Sequence, residues 1–270
     1  MALDIQPLTA LIGAEVRDID LADVSAEELD ELQKAWMDWK VLFFRDQHIT
    51  TEEHIAFGRR FGDLEVHPFA VGESDHPEIV MIQSDDKTQY AASGWHSDVT
   101  WREEPSMGSI LRGVRIPPAG GDTCFANAAA AYQRLSDGWK AKVDGLTAVH
   151  DFTTVFGGGL SDEDRAAKQK EFPPATHPVI RTHPVTGEKC VYTNRGFTHH
   201  VEGVDQIESN RIISHLEKAV MDPSVQCRFR WEVDSFAMWD NRCTQHYATD
   251  DFFPEMRRVE RVTIIGDRPF

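Results

Sequence analysis

Apolar residues recur at helical spacing between residues 25 and 40, with Leu29, Leu32 and Trp36 on one face. Ser25 suits the N-cap and Glu27 and Glu28 suit the positive end, so this span is expected to be a helix. Val41-Leu42-Phe43-Phe44 is a continuous apolar run, too short for a helix, and predicts a buried strand. Thr50 and Glu53 form a capping-box pair ahead of a second helix that carries Ile55 and Phe57. Residues 65–94 are polar and irregular, which predicts a long loop. A strand is expected over 107–117, stopped by Pro117-Pro118-Ala119-Gly120-Gly121, and then a short helical stretch over 128–135.

Ser161 and Asp164 predict a capped helix inside the Gly-rich, charged 157–175 region, which together with 65–94 is a candidate lid. Val179-Ile180-Arg181 and Cys190-Val191-Tyr192 flank Pro184-Val185-Thr186-Gly187 as a hairpin. Ile207, Ile212, Ile213, Leu216 and Val220 make 206–220 an amphipathic helix. Strands near 226–232 and 236–239 follow, and a last one runs from about 257 to 265. Helices do not alternate with strands and no phosphate-binding Gly loop is present, which argues against a doubly wound parallel sheet. Short antiparallel strands with helices at the start and between them point to a mainly β protein. The expected core is a double-stranded β-helix, the cupin-like jelly roll. No linker, repeat or low-complexity segment divides the chain, so residues 1–270 are expected to form a single domain.

Composition changes this picture in three places. The chain is 41% hydrophobic and 27% charged, as expected for a globular enzyme. Its formal net charge of −17, with no Lys/Arg block, argues against nucleic-acid binding. The same field repels anions, so an anion site has to be a local cluster of Arg and His. Cys124, Cys190, Cys227 and Cys243 show no CxxC spacing and predict reduced thiols in a cytoplasmic protein. The N-terminal MALDIQPLTALIGAEV lacks the features of a signal peptide. No apolar run approaches the ~20 residues a membrane helix needs.

The chemistry centres on Trp95-His96-Ser97-Asp98. His and Asp at i and i+2 share one face of an extended strand. A distant third donor, His246, follows the apolar strand that ends in Met238-Trp239-Asp240-Asn241-Arg242 and is expected at the barrel mouth, where strand gives way to loop. Two His and one carboxylate cap one side of a metal and leave positions for a cosubstrate and O2, as in non-haem Fe(II) oxygenases. The same donors could hold Zn2+ with an activated water, so a hydrolase stays open. Arg257, Val259, Arg261 and Thr263 share one face of the last strand, with the two Arg ~13 Å apart. Buried guanidiniums need compensating anions, so this strand could hold two separate carboxylate-like groups. His199 and His200 are expected to face opposite ways, and His177 and His183, each followed by Pro, to be turn or core residues. His150-Asp151 could be an acid/base pair, but adjacency in sequence does not orient one toward the other. Asp240, Asn241 and Arg242 are expected to knit the loop bearing His246 or to orient ligands.

These stretches resemble the Fe(II)/2-oxoglutarate dioxygenases of the taurine dioxygenase (TauD/TfdA) family. The resemblance runs from IGAEV and VLFFRDQ through WHSDVTW, PPAGGDT and RTHPVTG to WDNRCTQHYATDDFFPEMRRVERVTIIGDRP. It implies Fe(II), 2-oxoglutarate as cosubstrate and O2. His96, Asp98 and His246 match the iron ligands, Arg257 and Thr123 the partners of the far 2-oxoglutarate carboxylate, and Trp239 a residue packed near the cosubstrate. Arg261 and His67 match contacts to the anionic group of the prime substrate, and Val99, Phe156 and Phe197 match its apolar walls. Ala70, Ala92 and Val155 stand where the taurine enzyme has Tyr, Asn and Ser. A substrate ammonium would lack partners there, at ~1–3 kcal/mol per missing hydrogen bond. The resemblance thus implies hydroxylation of a small organic anion with a larger apolar body (a sulfonate, an alkyl sulfate or a carboxylate), with 2-oxoglutarate converted to succinate and CO2. Taurine itself and the hydrolase remain alternatives. Related enzymes are commonly dimers or tetramers, so a homo-oligomer is expected.

Overall fold

Capping decides where the first helices begin. In the computed structural model, which describes residues 2–68, 72–73, 75–85 and 94–270, Ser25 accepts from the Glu28 amide while the Glu28 carboxylate accepts from the Ser25 amide. The helix Ala26–Trp39 follows and buries Leu32, Ala35 and Trp36. The same reciprocal pair at Thr50 and Glu53 starts the helix Thr51–Arg59, which buries Ile55 and Phe57.

Among the described residues, eight strands form one sheet. Their order is Asp4–Pro7, Ala14–Arg17, Val41–Phe44, Phe236–Asp240, Gly108–Arg115, Arg257–Ile264, His76–Ser84 and Gly72–Glu73. Ala14–Arg17 and Val41–Phe44 pair in parallel and the other neighbours antiparallel. A smaller antiparallel sheet orders Gln226–Phe229, Thr123–Asn127 and Thr244–Ala248.

Strand alternation sorts the side chains between two layers. Val41, Phe43, Ala237 and Trp239 meet Phe125, Cys227 and Phe229 of the small sheet, and Phe43 stacks on Phe229 at 4.2 Å. Leu42, Phe44, Phe236 and Met238 pack instead with Trp36, Ile55 and Phe57 of the two helices. Val41–Phe44 is therefore apolar throughout because it is covered on both faces, each side chain contributing about 1.5–3 kcal/mol over exposure. Beyond the small sheet, Ala128–Gln133 and Gln206–Val220 pack through Ala131, Ile212 and Leu216. The result is the expected mainly β jelly-roll core with helices on both outer faces. No described helix is long and apolar enough to cross a membrane, and all four cysteines are free.

Several expectations need correction. The 65–94 region contains the nine-residue strand His76–Ser84, paired with Arg257–Ile264. Its Ile79–Ile82 run is flanked by Pro77, Glu78 and Gln83, which masks the pattern. Strands at Asp4–Pro7, Ala14–Arg17, Thr123–Asn127 and Thr147–His150, and the helix Asp137–Val143, were not anticipated. Ile207 is 83% exposed, outside the buried stripe of its helix. His246 lies in the middle of the strand Thr244–Ala248, and not at a strand end.

Candidate active site

A single backbone bridge sets the geometry. His96 N donates to His246 O at 3.1 Å and His246 N donates to His96 O at 2.8 Å, which adds His96 to the edge of the small sheet. Residues paired in this way project to the same face, and the two rings lie 4.2 Å apart. The chain then leaves extended geometry: Asp98 opens a turn, and Val99 has φ 46°. This corrects the expectation that His96 and Asp98 share one continuous strand. The turn brings Asp98 Oδ1 to 3.8 Å from both His96 Nε2 and His246 Nε2. The three donor atoms all lie within 4.8 Å of one another.

The large sheet braces this group from the other side. Ser109 Oγ donates to Asp98 Oδ2 at 2.9 Å, and Arg261 Nη1 donates to Oδ1 at 2.8 Å. Burial opposes ionisation of Asp98, but Arg261, the two imidazoles and Ser109 outweigh it and hold the carboxyl well below its usual range. His96 Nδ1 bonds the Gly94 carbonyl at 2.7 Å, which leaves Nε2 toward Asp98. Burial, then the neighbouring His96, pulls His246 down to about 3, so its imidazole is neutral, the form a metal takes. The Trp239 ring lies 4.8 Å from the His246 ring, so this tryptophan packs directly against a candidate ligand.

Arg257 occupies a second subsite. Its Nε donates to the Gly121 carbonyl at 3.0 Å, while Nη2 is buried with no hydrogen-bond partner among the described residues. Gly121 has φ 71°, and a Cβ there would lie 2.9 Å from Arg257 Cδ, so only glycine admits the side chain. Trp231 and Phe252 lie 5.9 and 6.0 Å from the guanidinium. Burial lowers the Arg257 pKa to about 10. Thr123 is the first residue of a strand, where its hydroxyl accepts from Trp231 Nε1 at 2.9 Å. A buried cation with an unspent donor fits a carboxylate.

The expected substrate residues gather beside the histidines. Val99 and Phe197 belong to a buried cluster with Trp101 and Phe152, against which Phe156 packs. Phe197 lies 6.4 Å from the His96 ring, and Phe156 lies 6.1 Å from the His67 ring. Burial, then Arg261, lowers His67 to about 4. Arg261 spends Nη1 on Asp98, and its Nε has no hydrogen-bond partner among the described residues. Val155 is 51% exposed, and Ala70 and Ala92 lie outside the described residues.

Sequence gave no signal for Ser109 or Trp231, because a serine within a strand and a tryptophan after one are common. Asn241 does more than knit a loop: it bonds both backbone groups of Asp98. A bulge at Thr198/His200 turns the His199 and His200 rings together, with Nδ1 atoms 2.9 Å apart, in place of the opposite facing expected of a regular strand. His177 and His183 are buried, as expected, and so is His150.

The family model "Taurine catabolism dioxygenase TauD, TfdA family" matches residues 4–263. An alpha-ketoglutarate-dependent sulfate ester dioxygenase from Pseudomonas putida is 35% identical, over 100% of this chain and 91% of its own. An (S)-phenoxypropionate/alpha-ketoglutarate-dioxygenase from Sphingobium herbicidovorans is 32% identical, over 98% and 96%. The crystal structure of a taurine dioxygenase from Burkholderia xenovorans has a TM-score of 0.87 at 37% identity, over 100% and 91%. The chain belongs to the TauD/TfdA family and is a 2-oxoglutarate-dependent dioxygenase that works with Fe(II) and O2.

Proposed function

We propose that this dioxygenase hydroxylates a small organic anion with an apolar body, a sulfate ester or an aryloxyalkanoate before taurine. His96, Asp98 and His246 would hold the iron. The observation that carries this reading is the pair of histidine Nε2 atoms facing one Asp98 oxygen at 3.8 Å each. Two imidazoles and one ionised carboxylate suit Fe(II). Iron, 2-oxoglutarate and O2 together supply the oxidising chemistry, giving succinate, CO2 and a hydroxylated substrate carbon.

The side chains bind, orient and exclude water. Arg257 Nη2 and the Thr123 hydroxyl take the far carboxylate of 2-oxoglutarate; a zinc hydrolase would leave this subsite without a role. Arg261, through an Nε with no hydrogen-bond partner among the described residues, and His67 meet the anionic head of the substrate. Val99, Phe156 and Phe197 pack its body and keep water from the reacting carbon. That aromatic wall favours an alkyl or aryl body over the short ammonium chain of taurine, as do the sulfate ester and phenoxypropionate activities of the two relatives. The 1–270 chain would act as one domain within a homo-oligomer, checked by light scattering.

Anaerobic reconstitution with Fe(II) and 2-oxoglutarate is expected to give the weak visible band of the chelate. Under O2, alkyl sulfates and phenoxypropionate should then trigger more succinate than taurine. A clear preference for taurine overturns the substrate reading, and absence of the band with iron bound overturns the Arg257 subsite.

A further inference from the structure

We infer that Asn241 is a positioning residue that sets metal affinity by holding Asp98 at the start of a strained turn; this rests on the iron reading of His96, Asp98 and His246. Side chains at i and i+2 of a regular strand stand ~6.5 Å apart. Closing Asp98 Oδ1 to 3.8 Å from both Nε2 atoms uses the turn that begins at Asp98. The next residue, Val99, has φ 46° and is buried. β-Branched residues avoid this region, and such a conformation persists only where its surroundings over-determine it.

Asn241 supplies the constraint. Its Oδ1 accepts from Asp98 N at 2.7 Å, and its Nδ2 donates to Asp98 O at 2.9 Å and to Ser106 O at 3.1 Å. One buried amide therefore grips both backbone groups of Asp98 and ties them to the segment leading into Gly108–Arg115. Asn241 is itself fixed by its own N–H to the Met107 carbonyl at 2.9 Å. Its neighbour Asp240 is locked by His183 and Arg242, and Thr244 Oγ1 donates to the Asp240 carbonyl at 2.7 Å. The strand that carries His246 begins at Thr244. Asn241 thus joins the carboxylate donor to the strand of the second histidine.

The test is Mn(II) titration of the metal-stripped protein, following the signal of free Mn(II) by electron paramagnetic resonance, with thermal unfolding of the same samples. Asn241→Ala and Asn241→Asp are expected to weaken Mn(II) binding roughly 10- to 100-fold. Gln47→Ala removes another buried amide, bonded to Leu21 N and Ile19 O away from the site. It is expected to lower stability and leave Mn(II) affinity at the wild-type value. Glycine adopts positive φ freely, so Val99→Gly placed in the Asn241→Ala protein is expected to recover part of the lost affinity. Wild-type affinity in folded Asn241→Ala or Asn241→Asp overturns the inference. So does a Gln47→Ala loss equal to that of Asn241→Ala. A double variant as weak as Asn241→Ala removes the strained turn from the explanation. If Asn241→Ala does not fold, the Asn241→Asp titration decides. Failure of the wild-type protein to take up Mn(II) overturns the iron reading itself, a separate outcome.

Discussion

Two clusters among the described residues have the residue types of a metal centre, and they differ in what their lone pairs are doing. His183, Asp240 and Cys243 lie as close together as His96, Asp98 and His246. In the first cluster every nitrogen and oxygen is spent. His183 Nδ1 accepts from Val185 N at 3.3 Å and Thr186 N at 3.0 Å, and its Nε2 meets Asp240 Oδ2 at 3.0 Å. Arg242 covers both Asp240 oxygens, from Nε at 2.9 Å and Nη2 at 2.7 Å. Burial, then Asp240, pushes the Cys243 thiol well above its ordinary range, away from the thiolate a metal needs. In the second cluster, two Nε2 atoms face one Asp98 oxygen at 3.8 Å, too far for a hydrogen bond. Both carboxylates accept hydrogen bonds, Asp98 from Arg261 and Ser109, so the contrast lies in the imidazoles: only the second cluster keeps two Nε2 lone pairs free for a metal.

The largest expected effect separates the two clusters outright. His246→Ala should abolish iron binding and succinate formation while leaving the unfolding of the metal-free protein nearly unchanged. His183→Ala should keep one metal per chain yet cost about 3 kcal/mol or more, because Asp240 loses a buried partner and the Val185 and Thr186 amides lose their acceptor. Metal analysis with denaturant unfolding checks both; metal lost from His183→Ala, or kept by His246→Ala, breaks the contrast. Next in size is Arg257→Met. It should weaken 2-oxoglutarate binding about 100-fold, read from titration of the visible band, because a buried charge pair cannot form. The metal-free variant should be at least as stable as wild type, since a buried cation with no ion-pair partner among the described residues is gone.

The smallest effect gives a baseline for a buried imidazole with neither metal nor carboxylate. His54 is fully buried with Nε2 on the Ile110 carbonyl at 3.1 Å, and burial lowers its pKa to about 4 from 6.5. The unfolded chain binds the proton first, so this contribution is present above about 6.5 and is lost as pH falls toward 4. Between about pH 7.5 and 4.5, metal-free His54→Gln should lose about 2 kcal/mol less stability than wild type. Equal losses would show that His54 does not report its burial.

What sequence made legible was local. Ser25 with Glu28 and Thr50 with Glu53 fix their helix starts within three residues, and Val41–Phe44 is apolar because both its faces are covered. The strand His76–Ser84 was hidden because its pairing with Arg257–Ile264 spans the chain. At the site, His96, Asp98 and His246 could be proposed from residue type and spacing and the remaining residues from the family resemblance, but their support could not. Asn241 reaches Asp98 across 143 positions, and Ser109 is one serine among many. Arg261 was legible as a buried cation but not as the partner of Asp98.

Arg257 sits 6% exposed, fixed and locally positive, inside a chain of formal charge −17. With Arg257 as the proposed contact for 2-oxoglutarate, the dicarboxylate would cross a repulsive field before it reaches an attractive one. Screening at the ~8 Å Debye length of physiological salt weakens the approach barrier far more than the buried contact. Added salt should consequently accelerate 2-oxoglutarate entry while leaving its escape rate almost unaltered, the reverse of electrostatically steered association.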